Sequence, residues 1–278
     1  MILTSIITYN PDIELLNKNI QAIVFQVDKV IIIDNGSENQ QKLVELLSHH
    51  TNVEYVQNGN NEGVAYALNQ ALEYAEINRY QWLLTLDQDS ICSETIIEKY
   101  MEIITNNKDN NILLLCPQIK DVNSTIEQLQ SERVEEVDVA ITSGSLLNVE
   151  QSIKIGGFLS RLFIDYVDFE FCLRGQEHAL KILRVNSVTL QHTLGRIEEK
   201  KVFGYRFVVT NHTPFRRYYL FRNKIFLYKK YYRKNSRWVY KNILSTIKTF
   251  FIILVFEENK KENTKFIFKG IWKGILLK

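Results

Sequence analysis

The chain is poor in cysteine, with three copies in 278 residues. Cys92, Cys116 and Cys172 are odd in number, far apart and without a CxxC pair. That excludes a disulfide framework and a thiolate metal site, and fits a reducing cytosol. Proline is just as scarce, 3 copies against 11 glycines, and no Pro-rich or Gly-rich linker divides the chain. The longest apolar run, residues 250–256, falls far short of the roughly 20 residues that a membrane span needs. The opening MILTSIITYNPD lacks the basic start and cleavage site of a signal peptide, and reads instead as a first strand. It also carries no Lys or Arg, so it offers no basic, Gly-rich phosphate cradle. A last absence is of one charge sign: no acid occurs between Lys200 and Phe256.

What is present is an apolar share of 45%, ample for a real core, and a net charge of +2, uninformative except in its placement. Short β-branched runs at 2–8, 30–34, 53–57, 82–87 and 112–116 alternate with helical periodicity at 12–26, 38–48, 64–77 and 94–104. Asp12 after Pro11 marks a helix start, and Ser93 is a cap for the fourth helix. The βαβα order predicts a parallel sheet covered by helices on both faces.

Ligands of such sheets sit outside the carboxyl ends of the strands. Those ends read Thr8-Tyr9-Asn10, Asp34-Asn35-Gly36-Ser37, the segment NGNNEG at 58–63, and Asp87-Gln88-Asp89. Turn chemistry alone explains much of this polarity. It explains the aspartates less well: two residues apart in an extended segment, Asp87 and Asp89 point the same way. Mg²⁺ takes one or two such carboxylates and completes its shell with water and phosphate oxygens. The rival reading makes Asp89 or Ser90 a helix cap.

After residue 118 the periodicity weakens, and a strand at 139–142 leads into Ser143, Gly144 and Ser145. In FIDYVDFEFCLRG, at 163–175, Asp165, Asp168 and Glu170 crowd apolar surroundings, where a carboxylate gains basicity. If 167–174 is helical, Glu170 pairs with Arg174 at i, i+4 and Asp168 is left for another role; a solvated first turn is the plainer reading. His192 follows a strand at 188–191, and its imidazole can join carboxylates around Mg²⁺ or Mn²⁺.

We read one continuous domain to residue 212, then a helical tail at 213–278. In RRYYLFRNKIFLYKKYYRKNSRWVYK, cations interleave with aromatics at helical spacing. An amphipathic helix on an anionic membrane surface is preferred over a nucleic-acid partner, and Arg216, Arg217 and Arg222 are alternatives for facing a diphosphate.

Taken in order, ITYNPD, IIIDNGS, NEGVAYALNQAL, LLTLDQDS, ITSGSLL, FIDYVDFEFCLR, QHTLG and RRYYLFRN cover most of residues 1–223. The set resembles the inverting family 2 glycosyltransferases, and within them a bacterial rhamnosyltransferase-like group. The resemblance implies an α/β GT-A (Rossmann-like) fold, a mostly parallel sheet flanked by helices, with a basic amphipathic helical tail. It implies that Thr8, Tyr9, Asn10, Asn61 and Gly63 line the nucleotide, that Asp34 accepts a hydrogen bond from the pyrimidine, and that Asp87 lies near the ribose or sugar. Asp89 would be the metal ligand, with His192 at the metal or diphosphate, and Gly144 and Ser145 at the donor sugar or acceptor. Asp168 matches the general base; Val167 stands where the family has a first acid, which leaves Asp165 as a competitor. Arg217 and Arg222 fall in the tail motif, and the resemblance divides the domain into a nucleotide-binding half at 1–118 and an acceptor-binding half at 119–212.

The activity so implied is transfer of L-rhamnose from dTDP-rhamnose, with Mn²⁺ or Mg²⁺, onto a polyprenyl-linked glycan for bacterial surface polysaccharide. The expected location is cytoplasmic, peripheral on the inner face of the plasma membrane, and an oligomer is compatible with the chain. The competing readings are a galactofuranosyl- or other hexosyltransferase using a UDP-sugar, a sugar nucleotidyltransferase, an inactive nucleotide-binding module and an RNA-binding protein.

Overall fold

The computed structural model describes residues 1–48, 50–107, 111–121, 131, 133–192, 198–202 and 205–278. By contacts the chain forms two compact units: Met1–Phe163 with Val167–Thr193, and Ile164–Tyr166 with Leu194–Lys278.

The first unit begins β1 (Ile2–Thr8), α1 (Ile13–Ile23), β2 (Lys29–Asp34), α2 (Gln40–Leu47), β3 (Val53–Gln57), α3 (Val64–Ile77) and β4 (Trp82–Asp87). The near-continuous burial along β1, β2 and β4, with Thr4, Ser5 and Thr85 included, means that both faces are covered, the signature of a parallel sheet under helices. Asp12 caps α1 as expected, accepting the N–H groups of Glu14 and Leu15. The unit continues through β5 (Ser90–Cys92), α4 (Ile96–Asn106), β6 (Ile112–Asp121), β7 (Val134–Glu136), β8 (Ser145–Asn148), α5 (Val149–Lys154), α6 (Val167–Glu177) and β9 (Lys181–His192).

Its sheet runs β3-β2-β1-β4-β8-β6-β9-β5, with β7 on β9. The four amino-terminal strands are parallel, as the alternation predicts. The sheet as a whole is mixed, because β8 enters antiparallel between β4 and β6. Since β8 opposes both neighbours, β6 runs in the direction of β4, and β9, parallel to β6, does likewise.

Local readings are corrected at three places. Residues 139–142 are not a strand; the apolar run two residues later, SLLN, is β8. Ser93 does not cap α4, whose cap position is Thr95 with no side-chain bond, and the Ser93 hydroxyl is buried without a partner. The Asp87-Gln88-Asp89 stretch is not extended, because Gln88 and Asp89 form a turn between β4 and β5. Period-2 alternation therefore does not aim these carboxylates, and Ser90, which starts β5, is no helix cap.

The second unit holds the hairpin β10 (Glu198–Val202) and β11 (Tyr205–Val209), then α7 (Pro214–Tyr231), α8 (Ser236–Phe256) and α9 (Lys260–Leu276). Thr213 caps α7 through its hydroxyl and Pro214 takes the first turn, a favourable pairing. Gly270 and Gly274 let α9 approach α7 closely; a Cβ at either would stand 2.4 or 2.5 Å from a carbonyl oxygen of Tyr218 or Arg222. Phe221, Ile253 and Ile267 form the unit's core. The basic, aromatic α7 is thus a core helix rather than a surface one, with Phe226, Leu227, Tyr228 and Tyr231 buried. Among the described residues, α8 is the one helix long and apolar enough to cross a membrane, a length missed by counting only the seven-residue run at 250–256.

Candidate functional site

The parallel strands set their polar ends side by side. Register places Thr8 opposite Asp34, Asp34 opposite Gln57 and Ile7 opposite Asp87. Thr8, Asp34 and Asp87 therefore share the carboxyl edge where α/β sheets bind ligands.

Asp34 is fully buried and organises this edge from below. Its carboxylate accepts from the Thr8 hydroxyl at 3.3 Å, the Ser37 N–H at 3.2 Å, the Ser37 hydroxyl and the Tyr55 hydroxyl at 3.1 Å. Burial, then the Asp34 charge, raises the Tyr55 hydroxyl far above the usual phenol range, so Tyr55 remains a donor. The acid expected to meet a pyrimidine thus faces inward. Ser37 relays the order to Asn10, whose N–H reaches the Ser37 oxygen at 2.7 Å while its side chain accepts from Glu38 N–H at 2.7 Å. Asn10 has φ 47°, a region asparagine tolerates. Tyr9 beside it is 47% exposed.

A second network holds the loop after β3. Asn61 accepts from Asn35 and from the Gly63 N–H, both at 3.0 Å, and Asn58 exchanges bonds with Gln70 on α3. Gly63 has φ +89°, and a Cβ there would lie 2.5 Å from the Phe163 ring. The Phe163 carbonyl in turn accepts the Val64 N–H at 2.7 Å, at the open start of α3. Phe163 makes that bond at φ 65°, ψ −66°, the rare γ-turn conformation whose strain marks functional segments.

The DQD turn is pinned on several sides. Gln88 accepts the Tyr9 N–H at 2.8 Å, Asn19 donates to the Asp87 carbonyl at 2.7 Å, and the Asp87 N–H reaches the Ser143 hydroxyl at 3.0 Å. Ser143 then bonds Ser90 at 2.8 Å. Asn19, Tyr55 and Gln88 have no role in the sequence reading; Ser143 is named there within ITSGSLL, but the roles went to its neighbours Gly144 and Ser145. Gly144 and Ser145, expected at the donor or acceptor, are buried: Gly144 packs on Pro117, and the Ser145 hydroxyl donates to the Ile141 carbonyl at 2.6 Å.

Among the described residues no three His, Cys, Asp or Glu side chains converge as a metal site. The His192 side chain lies outside the described residues, but its backbone pairs with Ser90, next to Asp89. One carboxylate and one neighbouring histidine, with water and phosphate completing the shell, is a donor set that Mg²⁺ or Mn²⁺ accepts.

Asp168 stands half-buried in the first turn of α6. Glu170 is fully buried and paired with Arg174 at 2.8 Å, the i, i+4 pair that the sequence predicts; Arg174 also donates to the Ile155 and Gly157 carbonyls. Asp165, Arg217 and Arg222 belong to the second unit. There Asp165 is ion-paired to Arg216 at 3.0 Å. Arg217, expected to face a diphosphate, is 1% exposed, paired with Glu257 and bonded to the Thr210 hydroxyl at 2.9 Å. Arg222 lies over the Tyr219 ring, 4.5 Å from its centroid. Burial, with Arg216 and Arg217 nearby, lowers His212 to about 4, so it is neutral at pH 7.

Comparison with known proteins gives concordant matches. The model of glycosyl transferase family 2 matches residues 5–160. The chain is 27% identical over 273 residues to the dTDP-rhamnosyl transferase RfbF of Shigella flexneri, covering 94% of this chain and 90% of that one. Among solved structures, GalNAc-T7 with UDP, GalNAc and Mn²⁺ superposes with a TM-score of 0.65 at 13% identity, over 99% of this chain but 56% of that one. The S. aureus TarS 1-349 structure gives a TM-score of 0.55 at 14% identity, over 99% of this chain and 72% of that one. At such identities the superpositions show the fold alone.

Proposed function

The chain belongs to glycosyl transferase family 2, and from that premise we propose that it transfers L-rhamnose from dTDP-rhamnose, with inversion, onto a lipid-linked glycan in bacterial surface-polysaccharide synthesis. The observation that carries the reading is the register of Thr8, Asp34 and Asp87 on one strand edge, with Gln88 tying that edge to Tyr9. The sugar is carried by likeness to the S. flexneri dTDP-rhamnosyl transferase. A UDP-sugar donor is the second reading, suggested by the UDP in the GalNAc-T7 structure.

In this reading the exposed Tyr9 and the Asn10 and Asn61–Gly63 loops hold the nucleotide, and Asp34 keeps those loops in shape. Asp87 and the turn after it face the ribose and diphosphate, where Asp89 and His192 would hold a divalent cation. When bound, that ion meets the negative charge developing on the leaving diphosphate. Asp168 acts as general base: it takes the proton of the acceptor hydroxyl as that oxygen bonds the anomeric carbon and the bond to the diphosphate breaks. One base and one displacement invert the anomeric centre. The Arg216 pair on Asp165 supports Asp168 as the base over Asp165.

The second unit suits a membrane surface. On α8, Leu244, Ile247 and Phe251 form one exposed apolar stripe; on α9, Phe268, Trp272 and Ile275 form another. Lys241, Lys248, Lys265, Lys269 and Lys273 accompany them. Apolar stripes beside lysines fit peripheral attachment to an anionic inner leaflet.

The deciding experiment is a screen of nucleotide sugars against lipid-linked acceptors, with Asp168→Asn as control. We expect rhamnose transfer from dTDP-rhamnose, with turnover reduced about 10²–10⁴-fold in the variant while nucleotide still binds. Undiminished turnover in the variant would remove Asp168 as base.

A further inference from the structure

The residues just before α6 hold an uncommon backbone. Phe163, Asp165 and Tyr166 have positive φ, at 65°, 61° and 64°. Aspartate tolerates that region, but a bulky residue such as Phe163 or Tyr166 is an outlier there. Such strain persists only where the surroundings over-determine it, and it clusters at functional sites. Here its consequence is close at hand: Val167 follows directly and opens α6, with Asp168 in the first turn. The path of 163–166 therefore sets how that first turn, and with it Asp168, is presented.

The second unit holds this path, since Ile164–Tyr166 belongs to it together with α7. The Asn223 side-chain amide donates to the Ile164 and Asp165 carbonyls, each at 2.8 Å. Its own oxygen accepts from the Arg222 Nε at 2.9 Å, which turns the NH₂ end, with its two donors, onto those carbonyls. Two turns earlier, Arg216 forks onto the Asp165 carboxylate, with Nη2 at 3.0 Å and Nε at 3.3 Å. The Lys224 ammonium lies 5.6 Å from the Tyr166 ring centroid. At i, i+7 and i+8, Arg216, Asn223 and Lys224 fall on one face of α7. Asn223 is fully buried in mid-helix, where asparagine is a poor helix former and an amide is costly unless bonded. Its two carbonyl partners account for its presence there.

We propose that Asn223 is a positioning residue for the transfer reaction: by clamping the Ile164 and Asp165 carbonyls it keeps the strained segment in place and so aims Asp168 at the acceptor hydroxyl. The assignment rests on the reading of Asp168 as general base. Asn223 itself, being buried, acts through the chain and not on the substrate.

The test uses the full chain carrying Asn223→Leu, close in size but without donors, with Asn223→Ala as a second variant should the first not fold. Hydrogen exchange over residues 163–169 should quicken about tenfold or more, while β1, β2 and β4 exchange as in wild type. In rhamnose transfer from dTDP-rhamnose to the lipid-linked acceptor found by the screen above, kcat should fall about 10- to 100-fold, with KM for dTDP-rhamnose within about twofold of wild type. With Asp168→Asn already present, the same substitution should lower turnover no further, because it acts through Asp168. Unchanged exchange at 163–169, an equal loss of kcat with Asp168 intact or replaced, or failure of both Asn223 variants to fold would overturn the assignment. Quickened exchange beside undiminished turnover in Asp168→Asn would keep the clamp and sink the base reading instead.

Discussion

The side-chain carbonyl of Gln88 accepts the backbone N–H of Tyr9 at 2.8 Å. The middle residue of the DQD turn, not its aspartates, therefore joins the β4 end to the loop after β1. Replacing Gln88 by Ala removes that acceptor, and by Glu retains it. We expect Gln88→Ala to weaken nucleotide binding by about 1 kcal/mol, with Gln88→Glu closer to wild type. Calorimetry with dTDP decides; equal affinity in all three proteins would make the contact incidental.

Gly63 occupies a site closed to any side chain. Its φ is +89°, and a Cβ would meet the Phe163 ring and carbonyl at 2.5 and 2.7 Å. Gly63→Ala should destabilise the fold by about 2 kcal/mol or more, through backbone strain and a displaced Phe163. Urea unfolding measures this, and a midpoint unchanged from wild type would show that the loop yields freely.

Lys224 lies buried on α7, its ammonium 5.6 Å from the Tyr166 ring centroid and 5.7 Å from that of Phe221. Burial, with the Arg217 charge as a lesser cause, lowers it from 10.5 to about 8. Between those values the unfolded chain keeps a proton that the native protein sheds, so stability rises with pH across that window and carries the full penalty below it. Lys224→Met should therefore be the more stable protein at pH 7, by on the order of 3 kcal/mol at most, an advantage that shrinks as pH climbs towards 10. Melting curves across that range test the sign; a pH-independent difference would refute it.

The exposed stripes of α8 and α9 can be tested without removing the helices, whose loss would strip Glu257 from the buried Arg217. Leu244, Phe251 and Trp272 are 69%, 61% and 62% exposed, so changing all three to Ser should leave the melting temperature within a few degrees. Flotation with anionic liposomes should fall about tenfold or more, given the apolar area withdrawn. Unchanged flotation would locate membrane attachment elsewhere or nowhere.

Much of the first unit is legible from local pattern. Residues 2–8, 64–77 and 82–87 read as the elements they become, because continuous β-branched runs and an Ala-rich helical period are local properties of the chain. The polar strand ends follow from the same reading, since a strand that stops at Asp or Asn stops at the sheet's edge. Glu170 and Arg174 pair because helix geometry alone brings i and i+4 together.

Tertiary structure decided the rest, through pairings whose partners lie far apart in sequence. Tyr9 and Gln88 are separated by 79 positions and Asp87 and Ser143 by 56; no periodicity encodes such meetings. The antiparallel entry of β8 brings Ser143 to the aspartates, and β6 runs on past the strand read at 112–116 to Asp121, with a register break against β9 after Pro117. The basic face of α7 likewise suggested a surface, yet Arg217 is buried against Glu257 and Thr210, and Lys224 is buried beside Tyr166 and Phe221. Local sequence set which segments become strands and helices. Long-range packing decided which polar atoms are spent on one another and which are left for a ligand.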